Sequence, residues 1–103
     1  MADPTDQISG IRLHRITEDI LSVDDNPVVN LDTLGAEKIE LTNKGPNTVY
    51  FRCDGTTPTA QASGNADQLV SGANRVMDGG KIADVKFICH TAEAATVFYR
   101  LYS

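Results

Sequence analysis

Apolar and polar residues alternate with a period of two over four stretches of this chain. In residues 38–42, KIELT, Ile39 and Leu41 point one way, and Glu40 and Thr42 the other. In 48–53, TVYFRC, Val49, Phe51 and Cys53 share a face, opposite Tyr50 and Arg52. In 84–90, DVKFICH, Val85, Phe87 and Cys89 oppose Lys86, Ile88 and His90. In 95–102, ATVFYRLY, Val97, Tyr99 and Leu101 oppose Phe98, Arg100 and Tyr102. A period of two is that of a β-strand with one buried face. No long window carries the 3.6-residue period of a helix. The pattern therefore predicts four strands, with 68–70 (QLV) and 74–77 (NRVM) as shorter ones.

The segments between these strands are turn-like. Asn43-Lys44-Gly45-Pro46-Asn47 has the length of a hairpin connection, with Gly for a positive φ and Pro for a fixed one. Asp78-Gly79-Gly80 and residues 91–94 read as further turns. Residues 54–66 form a long loop of small residues, and Pro58 keeps it out of a central strand. Short strands joined by turns without helices predict an all-β fold. The expected form is an antiparallel β-sandwich or a small jelly-roll-like barrel.

The first 37 residues differ. Residues 1–10 read as a mobile arm. Residues 10–16, GIRLHRI, fit a strand with Ile11 and Leu13 on one side, and 17–23, TEDILSV, fit either a short capped helix or an extended segment. The expected division is an extended N-terminal arm and irregular segment over 1–37, followed by a sandwich over 38–103, together one domain.

Composition narrows the function. Nine basic residues stand against fourteen acidic ones, a net charge of -5. The few Lys and Arg do not cluster, which excludes the counterion-releasing surface of a nucleic-acid or anionic-membrane binder. No stretch approaches the ~20 apolar residues of a membrane span. The polar, acidic start MADPTDQISG lacks a signal peptide's basic and apolar regions, so the expected site of synthesis is the cytoplasm. Two cysteines are too few for a disulfide framework. They read as buried free thiols, pairing only if their Cα atoms come within ~7 Å.

Candidate chemistry is sparse. The strand VYFR running into Asp54-Gly55-Thr56-Thr57 matches the end of the D-x-D-G-T motif of haloacid-dehalogenase-type phosphatases. Arg52 stands where the nucleophile belongs, and a guanidinium cannot attack. Asp54-Gly55 is better read as a turn, with the carboxylate accepting a backbone N–H. Cys53, Cys89, His14 and His90 lack zinc-ligand spacing, and Cys89 and His90 face opposite ways on a strand. Asp24-Asp25-Asn26 lacks the rest of a calcium loop. No catalytic residue, cofactor or metal site is expected. Tyr50, Phe98 and Tyr102 lie opposite the expected core. They form either an external apolar patch for a partner or a second buried layer beneath residues 1–37.

The run IELTNKGPNTVYFRCDGTTPTA, then LVSGANRVMDGGKIADVKFI and a last strand TVFYRLY, resembles the small β-sandwich virion proteins of tailed bacteriophages, the head decoration or cement proteins. The pattern is carried by Leu41-Thr42-Asn43, residues 48–52, 54–59 and 82–102, about the C-terminal two-thirds of the chain. The resemblance implies a structural protein on the capsid exterior, made in the host bacterial cytoplasm. Its implied partner is the major capsid protein. It also implies a homo-oligomer, a trimer suiting a local three-fold site. Candidate contacts are Ile8, Ile11 and Leu13 of the arm and the aromatic residues Tyr50, Phe98 and Tyr102. Two rival readings are a tail, fibre or head–tail joining component, and a carbohydrate-binding module stacking sugars on Tyr50 and Tyr102.

Overall fold

The computed structural model describes residues 14–60, 64–78 and 82–103. Within them the chain forms eight strands and no helix: β1 (Arg15–Val23), β2 (Val29–Leu31), β3 (Lys38–Pro46), β4 (Val49–Arg52), β5 (Asp67–Leu69), β6 (Asn74–Asp78), β7 (Val85–Cys89) and β8 (Ala95–Tyr102). They make two four-stranded antiparallel sheets, ordered β1-β8-β3-β6 and β2-β7-β4-β5. The pairs β1–β8, β2–β7, β3–β6 and β4–β5 are nested within one another along the chain. That nesting, split between two packed sheets, is the connectivity of a jelly roll.

The alternation sets which side chains meet. From the first sheet Val23, Ile39, Leu41, Val97 and Leu101 turn inward; from the second, Leu31, Val49, Phe51, Leu69, Val85, Phe87 and Cys89. All are buried, and the Phe51 and Phe87 rings pack tilted at 6.1 Å between centroids. Each such aliphatic or aromatic side chain contributes about 1.5–3 kcal/mol on leaving water. The faces assigned to Ile39/Leu41, Val49/Phe51, Val85/Phe87/Cys89 and Val97/Leu101 are the buried ones. Tyr99 is half-buried at the core's margin.

Two expectations need correction. The turn at 43–47 does not close a hairpin: β3 and β4 lie in different sheets, as do β6 and β7, and β7 and β8. The reason at 43–47 is local. A one-residue bulge between Asn43 and Gly45, Gly45 at φ +90, and the Asn43 side chain bonded to the Asn47 carbonyl bend the chain out of its sheet. Residue 38 does not divide arm from sandwich either. Residues 17–23 take the extended alternative, as part of β1 pairing with β8, and β2 joins the second sheet. Residues 1–13, with the expected arm and the candidates Ile8, Ile11 and Leu13, lie outside the described residues.

Candidate partner-binding surface

The sandwich presents two outer faces, and they divide the aromatic candidates. Phe98 and Tyr102 lie on the outer face of the β1-β8-β3-β6 sheet, and Tyr50 on that of the β2-β7-β4-β5 sheet. All three are half-buried, and the two faces keep Tyr50 apart from Phe98 and Tyr102. Tyr50 sits opposite Ile88 on β7 and Gln68 on β5.

The first outer face has the more developed chemistry. Its central row runs Glu18 (β1), Arg100 (β8), Glu40 (β3), Val76 (β6). Arg100 donates from Nε to Glu18 at 2.9 Å and from its terminal nitrogen to Glu40 at 3.1 Å. These bonds, to Glu18 first, raise its pKa above the ordinary value. Arg15 reaches the other oxygen of Glu18 at 3.2 Å, and Asn74 donates to Glu40 at 3.1 Å and to Thr42 at 2.8 Å. The charges of this row are mutually paired. Apolar and aromatic residues lie beside these charges and at the row's β6 end. Ile20, opposite Phe98, is 58% exposed, and Val76 is 47% exposed. Arg100 and Lys44 lie over the Phe98 ring at 5.0 and 5.8 Å, and Lys38 over Tyr102 at 5.0 Å. Ile20 and Val76 were not among the candidates from sequence. The signal for Ile20 was its position opposite Phe98, visible only once β1 was known to pair with β8.

The Asp54 loop has a structural occupation. Asp54 accepts the Thr56 N–H at 3.0 Å, and Gly55 takes φ +83, as expected of a turn. Arg52 pairs with Asp54 through two nitrogens, donates to Thr56 Oγ1 at 2.9 Å and also bonds the Asn65 carbonyl. Asn65 closes the loop by accepting the Thr59 N–H at 2.8 Å and donating to the Thr57 carbonyl at 3.1 Å. Hydrogen bonds from Arg52 and then Thr56 hold the Asp54 carboxyl well below the usual carboxylate range. Each Asp54 oxygen is thus engaged in fastening one long loop.

The remaining polar candidates are dispersed. Asp25 accepts the Ala92 N–H at 2.9 Å, and no group of three or more His, Cys, Asp or Glu residues is placed to hold a metal ion among the described residues. Both cysteines are free thiols. Cys89 stands opposite Val49, and Cys53 lies four residues farther along the chain, just past the end of β4 and about 13 Å away at strand rise, beyond disulfide reach. Burial pushes the Cys89 thiol up from 9.0 to about 11, while His90 beside it faces solvent.

Comparison with protein-family models, with curated proteins and with solved structures returns no match.

Proposed function

We propose that the protein is a non-enzymatic decoration, or cement, protein of a tailed-bacteriophage head. In this reading it is made in the bacterial cytoplasm, docks on the exterior formed by the major capsid protein, and ties neighbouring shell subunits together. The observation that carries the reading is the outer face of the β1-β8-β3-β6 sheet. Ile20, Phe98 and Val76 offer apolar area around a charge row already neutralised within the sheet. The charges of that row can be covered by another protein without being left unpaired, and Lys38 and Lys44 beside it lie over aromatic rings. The jelly roll supports the reading by analogy only, since the same architecture serves capsid and lectin domains. Against sugar binding on Tyr102 stands Lys38, which lies over the ring face that a saccharide would need.

The test is quantitative mass spectrometry on gradient-purified particles, with this protein scaled to the major shell protein. The expected ratio is near one copy per shell subunit, or one per three. A much lower ratio moves the protein to the tail or joining region, and absence from particles ends the virion reading. With purified shells, Phe98→Ala and Val76→Asp should each weaken binding roughly tenfold, the effect of losing one well-placed interface residue. Particles lacking the protein should rupture at lower temperature.

A further inference from the structure

Among the described residues the four sheet edges are unequal. β2 and β5 are 3 residues long, β6 is 5, and β1 is 9. An edge strand carries a row of unpaired backbone donors and acceptors, and short edges limit the hazard. β1 is the long one, and it exposes Ile16 (40%) and Ile20.

The ladder shows which residues of β1 address the edge that no other described strand pairs. His14 and Ser103 exchange both backbone hydrogen bonds, at 2.7 and 2.8 Å. The antiparallel alternation runs on from there, with one extra residue at the bulge between Arg15 and Thr17. Thr17, Asp19 and Leu21 therefore bond β8, and Glu18, Ile20 and Ser22 direct N–H and C=O outward. The Ile20 N–H confirms the phase: it donates to its neighbour's carboxylate, Asp19 Oδ1, at 2.8 Å.

We infer that this edge pairs with the same edge of a second copy of the chain, antiparallel and centred on Ile20, joining two four-stranded sheets into one of eight. The regular stretch after the bulge, residues 17–23, has Ile20 at its midpoint. Outward groups must meet outward groups, so only every second register is open. Centring on Glu18 puts one glutamate against another, and centring on Asp19 opposes two aspartates. Centring on Ile20 pairs Ile20 with itself, Glu18 with Ser22, Asp19 with Leu21 and Thr17 with Val23, with no like charges opposed. It also sets Phe98 and Ile20 of each copy in one apolar row across the joint. The contact is isologous and closes at two copies, in place of the three-fold arrangement implied by the resemblance. Asp19 restrains the pairing, because its carboxylate must leave the Ile20 N–H before the second strand can accept it. The inference rests on the β1 edge alone and stands whether or not the docking reading holds.

Sedimentation equilibrium of the full chain, from low micromolar to near-millimolar concentration, tests it. The expected result is a reversible monomer–dimer equilibrium. Ile20→Lys should abolish it with an unchanged circular dichroism spectrum, because Ile20 makes no backbone bond to β8. Asp19→Ala should tighten it roughly tenfold by releasing the edge donor. Under mild oxidation Ile20→Cys should cross-link two chains and Val76→Cys, on the opposite edge, should not. A wild-type chain that stays monomeric throughout overturns the inference. So does a dimer that survives Ile20→Lys, or cross-linking through Val76→Cys in place of Ile20→Cys.

Discussion

At the scale of single residues, the polar side chain that does most for the fold is Asn43. It is fully buried, and its amide donates to the carbonyls of Asn47 and Leu69, each at 2.7 Å, while its oxygen accepts the Gly45 N–H at 2.7 Å. Its backbone bonds Ala73 and Gly72 in the β5–β6 connection. One side chain thus ties the β3–β4 corner to the end of β5. Asn43→Leu keeps the branched heavy-atom shape, with somewhat larger methyl groups, and orphans three backbone groups, at roughly 1–3 kcal/mol each. We expect a loss of about 3 kcal/mol or more by urea unfolding. A loss below ~1 kcal/mol would show that the corner finds other partners. Asn43 also belongs to the run that carries the resemblance, as do Arg52, Asp54 and Thr56. Those residues hold corners and loops, which explains how a run without catalytic character can still be distinctive. Cys89 supplies a pH prediction. Its folded-state pKa is raised, so its contribution to stability is complete below the ordinary thiol value of 9.0 and is lost as pH rises toward about 11. Alkylation of the native protein at pH 8 should modify the half-buried Cys53 and spare Cys89. Equal labelling would mean that the Val23–Cys89 region opens readily.

At the scale of elements, the alternating strands were legible, whereas β2, read as part of an irregular segment, and the connections were not. Alternation is a property of one strand, and it identified the buried faces of β3, β4, β7 and β8 from sequence. Whether a five-residue connection folds back within a sheet or arches to the other depends on a bulge and on what Asn43 bonds, and neither has a local signature. β1 was ambiguous for a related reason. In RITEDILSV the inward positions Thr17 and Asp19 are polar, the first half-buried and the second exposed, so the period of two is broken there. The candidate surface was legible in part. Phe98 and Tyr102 could be placed opposite the core, but Tyr50 could not be assigned to a separate face without the strand order. The connection between β2 and β3 holds a local conflict. Leu34 has φ 55 and Gly35 φ 73, and the Ala36 N–H bonds the Thr33 carbonyl at 2.8 Å. Two positive φ values in succession favour Asn-Gly, whereas a leucine in this conformation costs about 1–2 kcal/mol. Leu34 is also 57% exposed, so it gains little from burial. Leu34→Asn should therefore stabilise the protein by about 1 kcal/mol, raising the melting temperature by roughly 4–8 °C. A fall in melting temperature would show that Leu34 packs more productively than its exposure suggests.

At the scale of the whole molecule, the nested pairing sets an order of assembly. β4 and β5 are joined by residues 53–66, the shortest separation of any bonded pair; β3–β6, β2–β7 and β1–β8 follow with steadily longer loops. Loop-closure entropy rises with the length closed, and each outer pair becomes cheaper once the inner ones have shortened the path between its strands. The chain should then fold from its middle outward, on the slow timescale of β-rich folds dominated by non-local pairs. Conservative truncations give the test. Leu69→Ala on β5 and Val49→Ala on β4 remove buried side chains from the innermost pair, and should slow folding with φ-values above those of any outer pair. Val23→Ala on β1 and Leu101→Ala on β8 remove equally buried side chains from the outermost pair, and should mainly speed unfolding. Stopped-flow chevrons of the four variants suffice, because each truncation destabilises by enough for a reliable ratio. High φ-values at Val23 and Leu101 with low ones at Val49 and Leu69 would mean that closure of the β1–β8 pair nucleates the fold. In that case the long β1 edge would be ordered early in folding, and the opportunity for two copies to join along it would arise before the rest of the sandwich is complete.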